Sequence, residues 1–218
     1  MKHIKNITIL TITAILMMNC QSNGKPANFD YGSVKNDIYT NDYFNIEMNT
    51  PEGWVVQSKE QTDRLVNAGK DIIAGDDENM KAAIKASEIN SANLLSIFRN
   101  EVDTPSEEFN QSLIMVAENT KNFPGIESGE DYLYHARKLL SKTSLSYTNI
   151  SETFESQAIN GISFYVMDTE LEYIGLKITQ TYYATVLNDF SISIIISYTS
   201  EEQKEELFKY VSSFSLKN

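Results

Sequence analysis

The strongest constraint on the fold is the alternation of apolar and polar residues on both sides of Ile174 and Gly175. Neighbouring side chains of a strand point to opposite faces, so a two-residue turn here sorts the flanking residues into two faces. One face carries Tyr165, Met167, Leu171, Tyr173, Leu176, Ile178, Tyr182 and Ala184. The other face carries Asp168, Glu170, Glu172, Lys177, Thr179 and Thr181. Because a shift of one residue would mix the faces, the sequence predicts a long antiparallel hairpin with Tyr173 opposite Leu176.

The alternation continues beyond this hairpin. One face of the next apolar segment carries Phe190, Ile192, Ile194, Ile196 and Tyr198. These side chains can lie opposite apolar side chains of the preceding strand only if the connection has an odd number of residues. We therefore predict a third long strand, joined by a three-residue loop at residues 187–189 with Asn188 or Asp189 in the left-handed conformation.

Helices are predicted after capping sequences, in which a serine is followed three residues later by a residue that can complete a capping box. These pairs are Ser58–Gln61, Ser128–Asp131 and Ser200–Gln203. Gly69 and Gly75 are expected to divide the helical segment at residues 58–88. Further strands are predicted at residues 44–48, 93–99, 112–118 and 214–216. The predicted fold class is α+β, with a largely antiparallel sheet and helices packed on it.

Residues 1–19 have the features of a secretion signal. Lys2 and Lys5 give a positively charged start, and residues 7–18 form an apolar stretch. That stretch matches a signal core of roughly 7–15 residues and is shorter than the roughly 20 residues of a membrane-spanning helix. The following residues, Leu16-Met17-Met18-Asn19-Cys20, resemble the lipobox of bacterial lipoproteins. A secreted protein with an unmodified cysteine and an uncleaved anchor are the alternatives.

The lipobox resemblance implies that residues 1–19 are removed and that Cys20 carries diacylglycerol and acyl lipid. Cys20 is the single cysteine of the chain, so it cannot form an internal disulfide. Residues 20–39 are rich in small and polar residues without an apolar period, which predicts a flexible tether to a single domain at residues 40–218. Gln21 and Ser22 lack the aspartate that retains enteric lipoproteins in the inner membrane. The expected location is therefore outside the cytoplasm, in the outer membrane if the cell has one.

The formal net charge of −12 narrows the range of partners. An acidic chain is repelled by the phosphates of nucleic acids and by anionic lipid headgroups. We therefore predict no nucleic-acid partner, and we expect the lipid on Cys20 to provide the attachment to the membrane.

Four segments resemble the PsbP-like superfamily, which includes the photosystem subunit P, the Mog-type Ran-binding proteins and bacterial DcrB-type lipoproteins. They are Pro51-Glu52-Gly53-Trp54, the hairpin with its following strand, Ser197-Tyr198-Thr199-Ser200-Glu201-Glu202 and Ser212-Ser213-Phe214-Ser215-Leu216. The resemblance implies a PsbP-like sandwich for residues 40–218. It also implies a non-enzymatic accessory or protein-binding role with an envelope protein as partner.

The sequence contains no recognisable catalytic or metal-binding motif, and we predict neither a catalytic residue nor a metal or cofactor other than the lipid. His135 is the only histidine after the signal segment. An enzyme, for example a carboxylate-based hydrolase, would need two convergent carboxylates or His135 with an acid in a cleft. The acidic residues Asp168, Glu170 and Glu172 are interpreted as a solvated strand face, partly offset by Lys177.

Thr169 and Gln180 form a polar pair on the otherwise apolar face of the hairpin. They are candidates for orienting a small ligand, with Tyr165 and Tyr182 as the walls of the site. The other interpretation is that the pair is satisfied by hydrogen bonds within the protein. An envelope module that binds a small ligand or a cation is accordingly the alternative to the accessory or protein-binding function.

Overall fold

The computed structural model describes residues 25–102, 104 and 108–217, so Cys20 and the predicted signal lie outside the described residues. The helices are α1 (Lys59–Ala74), α2 (Glu78–Ser87), α3 (Gly129–Leu140) and α4 (Glu201–Val211). The first six strands are β1 (Ser33–Lys35), β2 (Ile38–Asn41), β3 (Ile46–Asn49), β4 (Val55–Val56), β5 (Ser91–Phe98) and β6 (Ser112–Asn119). The other six are β7 (Ser146–Ile150), β8 (Glu155–Ile159), β9 (Ile162–Tyr173), β10 (Leu176–Leu187), β11 (Phe190–Tyr198) and β12 (Ser215–Leu216).

The strands form two antiparallel sheets, which confirms the predicted α+β class. The large sheet has the order β4-β5-β6-β11-β10-β9-β7, with β8 also paired to β9. The small sheet has the order β1-β2-β3-β12. Strand β6 is buried along its whole length at the centre of the large sheet, as its continuous apolar run predicts.

The large sheet is the middle layer of the protein. On one face, Leu207 of α4 and Ile46 of the small sheet pack in a common core with Ile194. On the other face, α3 packs through Leu133 onto Ile195, and α1 covers another part of the sheet. Adjacent residues of β11 thus contribute to cores on opposite sides, so the strand is buried on both faces.

The hairpin of β9 and β10 has the predicted register. Tyr173 pairs with Leu176, and the ladder continues to Tyr165 opposite Ala184. The turn residues Ile174 and Gly175 have φ values of 48° and 79°, as the two central residues of a type I′ turn require. The isoleucine is 71% exposed, so its conformation is imposed by the turn rather than by packing.

Replacing Ile174 with asparagine is expected to raise the free energy of unfolding by about 1 kcal/mol. A β-branched residue is disfavoured in the left-handed region, whereas Asn-Gly is a preferred type I′ sequence. Chemical denaturation would measure the gain. Ile89→Asn is the matched control, because Ile89 is 51% exposed and is not among the residues with positive φ. An equal effect of both substitutions would contradict an origin in the turn.

The three-residue loop predicted between β10 and β11 is wrong. Leu187 pairs with Phe190 across a two-residue turn, in which Asn188 and Asp189 have φ values of 52° and 62°. The prediction of a left-handed residue is confirmed at both positions. The assumption that failed was that Val186 could not lie opposite a polar side chain. It lies opposite Ser191, which is 1% exposed, because both faces of β11 are buried.

The structure also corrects the predicted flexible tether for the part of residues 20–39 from Phe29 onward. Residues 33–41 form a hairpin of the small sheet, and Tyr39 is 0% exposed. The Phe29 ring lies 5.6 Å from the Phe190 ring and 5.8 Å from the Phe44 ring, measured between centroids. Polar residues separate these aromatic side chains, so no apolar period marks the segment as folded.

The predicted helix starts are confirmed. Ser58 and Ser128 form capping boxes with Gln61 and Asp131. Ser200 caps α4, while the Gln203 side chain accepts a hydrogen bond from the Thr199 main chain. The helical segment breaks at Gly75, whereas Gly69 lies within α1.

Candidate functional site

The four residues predicted to surround a small ligand lie on β9 and β10. Thr169, Gln180 and Tyr182 are 0% exposed, and Tyr165 is partly buried. The Gln180 amide nitrogen donates to Ser197 Oγ at 3.0 Å, and the Tyr182 hydroxyl donates to Gln180 Oε1 at 3.3 Å. The Thr169 hydroxyl donates to the Gln180 main-chain oxygen at 3.4 Å. These polar groups thus satisfy one another inside the protein, as the second interpretation of the pair expects.

The acidic residues of β9 form separate contacts. Asp168 Oδ1 accepts a hydrogen bond from the Thr181 hydroxyl at 2.5 Å. Glu170 Oε1 lies 2.7 Å from Lys177 Nζ, and Glu172 is exposed. Among the described residues, no three His, Cys, Asp or Glu side chains are close enough together to hold a metal ion. The ion pair between Lys177 and Glu170 partly neutralises the negative charge of this face, as predicted.

His135 lines a cleft of about 520 Å³ together with Asp131. The Asp131 carboxylate accepts hydrogen bonds from the Ser128 main chain at 3.0 Å and the Ser128 hydroxyl at 2.7 Å. The Ser128 contact is the main reason that the pKa of Asp131 is lowered. Burial and the charge of Lys138 lower the pKa of His135, and Asp131 acts in the opposite direction. The Asp131 side chain is thus engaged in capping α3 beside the histidine.

A different site lies along the outer edge of β5. Strand β4 pairs only with residues 97–98, and the Gln57 main chain then donates to the Ser96 oxygen at 2.9 Å. Residues 91–95 continue past this point, and on the side away from β6 no described strand pairs with them. This unpaired stretch contains a bulge between Asn93 and Leu95, at which the pairing with β6 changes register.

Two cavities, of about 330 and 200 Å³, line this strand edge. Both are bordered by Tyr31, Lys59, Thr62 and Asn93, so they are adjacent, and we name the two together the edge groove. Helix α1 supplies one wall, and residues 31–34 supply part of the other. The Lys59 Nζ atom lies 5.9 Å from the centre of the Tyr31 ring, so the two walls approach each other at residues that border both cavities.

Five charged side chains line the larger cavity of the edge groove. Lys59 Nζ lies 2.5 Å from Asp63 Oδ2, and Lys70 forms an ion pair with Glu88. The fifth, Lys25, donates to the Glu88 main-chain oxygen at 3.3 Å and forms no ion pair among the described residues. The lining therefore carries one more positive than negative charge, in contrast to the acidic chain as a whole.

The groove also perturbs the ionisation of its lysines. Burial lowers the pKa of Lys25, the charge of Lys59 lowers it further, and Asp63 partly opposes both effects. The hydrogen bond to Asp63 raises the pKa of Lys59. Lys25 is thus a partly desolvated ammonium group whose charged form an additional anion would stabilise.

The sequence did not indicate the edge groove. Its lining comes from the N-terminal segment, α1, the end of α2, β5 and Val116 of β6, which are separated along the chain. The charged and polar side chains of the lining are ordinary surface types, and the lining as a whole has no characteristic spacing in the sequence. The only local signal was the Ser58 capping box, which places Lys59, Thr62 and Asp63 on the first turns of α1.

No helix in the described part of the chain is long and apolar enough to cross a membrane. No protein-family model and no curated protein sequence matches the chain. The chain is similar to the solved structure of PsbP (CyanoP) from Synechocystis sp. PCC 6803, with 13% identity and a TM-score of 0.48 over 85% of this chain and 98% of that one.

Two other solved structures are similar to the chain. LpqN, involved in cell envelope biogenesis of Mycobacterium tuberculosis, has 10% identity and a TM-score of 0.41, over 79% of this chain and 83% of that one. The protein of unknown function PA94 from Pseudomonas aeruginosa has 11% identity and a TM-score of 0.38, over 57% of this chain and 78% of that one. Identities of 10–13% carry no function over from these proteins to this chain.

Proposed function

We propose that this chain is a lipid-anchored, non-enzymatic accessory protein of the bacterial cell envelope that binds a protein partner through the edge groove. The observation that carries the proposal is the open edge of β5 at residues 91–95, bordered by two cavities. An uncovered strand edge presents main-chain donors and acceptors on which another chain can pair.

The character of the groove supports binding rather than catalysis. Lys59 and Lys70 are held in ion pairs with Asp63 and Glu88, an arrangement that positions charges at the surface. Tyr182, Thr169 and Gln180 of the hairpin form hydrogen bonds within the core, so a ligand site on this face has less support than the groove.

The proposed anchor is the lipid on Cys20, supported by the positively charged start, the apolar stretch at residues 7–18 and the lipobox resemblance. Two acyl chains give stable membrane attachment, whereas one gives only marginal binding. We expect labelled palmitate to be incorporated into the wild type and Cys20→Ala to abolish both the labelling and the membrane fractionation. Labelling of the Cys20→Ala variant would contradict the anchor.

Partner binding is tested by site-specific photo-crosslinking in cells. A photoreactive amino acid at Asn67, an exposed position on the α1 wall of the groove, is expected to give one adduct of defined mass. The same amino acid at Glu155, which is exposed in β8 across the sheet from β5, serves as the matched control. Equal adducts from both positions, or none from Asn67, would contradict the groove as the binding site.

A further inference from the structure

The uncovered edge of β5 has the geometry of a strand-pairing site. On the side of β5 away from β6, the last main-chain hydrogen bond among the described residues is the one from Gln57 to Ser96. Residues 91–95, the N-terminal part of the strand, extend beyond it. Main-chain groups alternate in direction along a strand, so the edge presents donors and acceptors outward on both sides of the bulge between Asn93 and Leu95. An extended polypeptide is the ligand whose main chain complements such a row.

The groove beside this edge is amphipathic. Val66, Ala92 and Val116 give the larger cavity an apolar part, where a small apolar side chain of a bound segment would fit. Lys25 stands in the same cavity without an ion-pair partner among the described residues. Its ammonium group is partly desolvated, so a carboxylate placed beside it would interact more strongly than at an open surface.

Building on the proposed function, we propose that the occupant of the edge groove is an extended, acidic segment of the partner protein. The segment adds as a strand to residues 91–95, and one of its carboxylates pairs with Lys25. The charge of the lining favours this occupant, because a carboxylate would neutralise Lys25, which forms no ion pair with any residue that the structure describes. Lys59 and Lys70 already have carboxylate partners, so they contribute less to the preference for an acidic segment.

The test uses the full-length protein in detergent and three matched synthetic peptides. Each is a nine-residue chain of alternating Thr and Val, with Glu, Gln or Lys at the centre. We expect the Glu peptide to bind about tenfold more tightly than the Lys peptide. We also expect it to protect the main-chain amides of residues 91–95 from hydrogen exchange. Methylation of alternate peptide nitrogens is expected to weaken binding at least about tenfold, because it removes donors to the strand edge.

Two variants test whether Lys25 causes the preference for the Glu peptide over the Lys peptide. Lys25→Gln should remove the preference for the Glu peptide while leaving the hydrogen-exchange protection in place. Lys142→Gln, at an exposed position after α3, should retain the preference. Equal affinity for all three peptides, or protection elsewhere than residues 91–95, would overturn the proposed occupant.

The proposed occupant would also be overturned if free glutamate competed with the bound Glu peptide as strongly as unlabelled Glu peptide does. A small carboxylate would then be sufficient for binding to the groove. These results are independent of the crosslink at Asn67. A crosslinked partner together with failed peptide pairing refutes the strand-addition mode alone, whereas loss of the crosslink refutes the groove as the partner site.

Discussion

Replacing Gly129 with alanine is expected to lower the free energy of unfolding by about 3 kcal/mol. Gly129 is the first residue of α3, and a Cβ atom there would lie 2.0 Å from the Ala184 main-chain oxygen and 2.6 Å from its carbonyl carbon. Both atoms belong to the backbone of β10 in the middle layer, so they cannot move as a flexible side chain could. The helix would have to shift away from Tyr182 and Ala184, which it covers.

The sign of this effect distinguishes packing from helix propensity, since glycine to alanine in a helix usually stabilises by about 0.5–1 kcal/mol. Urea denaturation of the two proteins measures the difference. Gly125→Ala is the matched control, because an added Cβ at Gly125 meets no atom within 4 Å. We expect that control to change stability by less than about 0.5 kcal/mol. A Gly129→Ala protein as stable as the wild type would contradict the close approach of α3 to β10.

Replacing Phe190 with alanine is expected to lower the free energy of unfolding by about 3–5 kcal/mol. Phe190 is 2% exposed and begins β11 of the large sheet. Its ring lies 5.3 Å from that of Phe44, 5.6 Å from Phe29 and 5.8 Å from Tyr43, measured between centroids. The substitution leaves a cavity and removes the aromatic contacts that attach residues 29–44 to the large sheet.

Limited proteolysis and denaturation together test this role of Phe190. We expect cleavage within residues 29–44 to accelerate in Phe190→Ala, because this segment loses its aromatic contacts with β11. Phe190→Leu retains most of the side-chain volume and should lower the free energy of unfolding by less than half as much as Phe190→Ala. Tyr134→Ala removes an aromatic ring that is 44% exposed on α3 and should leave cleavage of this segment unchanged. Unchanged proteolysis of Phe190→Ala would show that the segment is held by other contacts.

Strong local patterns predicted much of the central architecture. The register of β9 and β10 followed from the alternation around Ile174 and Gly175, because a shift by one residue would expose apolar side chains. The starts of α1 and α3 followed from capping boxes, which depend on residues close together in the chain. The acidic face of β9 was also anticipated, with Lys177 as its counterion.

Other features could not be predicted because they depend on which other elements of the fold pack against a given strand or segment. The turn at Asn188 and Asp189 follows from the burial of both faces of β11, which removes the penalty for pairing Val186 with Ser191. Strands β7 and β8 were not predicted, since most of their residues are exposed and carry no apolar alternation. The polar hairpin pair could be recognised from sequence, but its satisfaction by Ser197 required the neighbouring strand.

By itself, the sequence determined the α+β class, the long hairpin and the helix starts, because each depends on residues within one or two neighbouring elements. Only the tertiary structure decided that residues 29–41 belong to the fold, since Phe29 is stabilised by Phe44 and Phe190, far along the chain. It also decided the place of the edge groove. The groove arises where β4 ends while β5 continues, and packing alone brings Lys25 beside the end of α2.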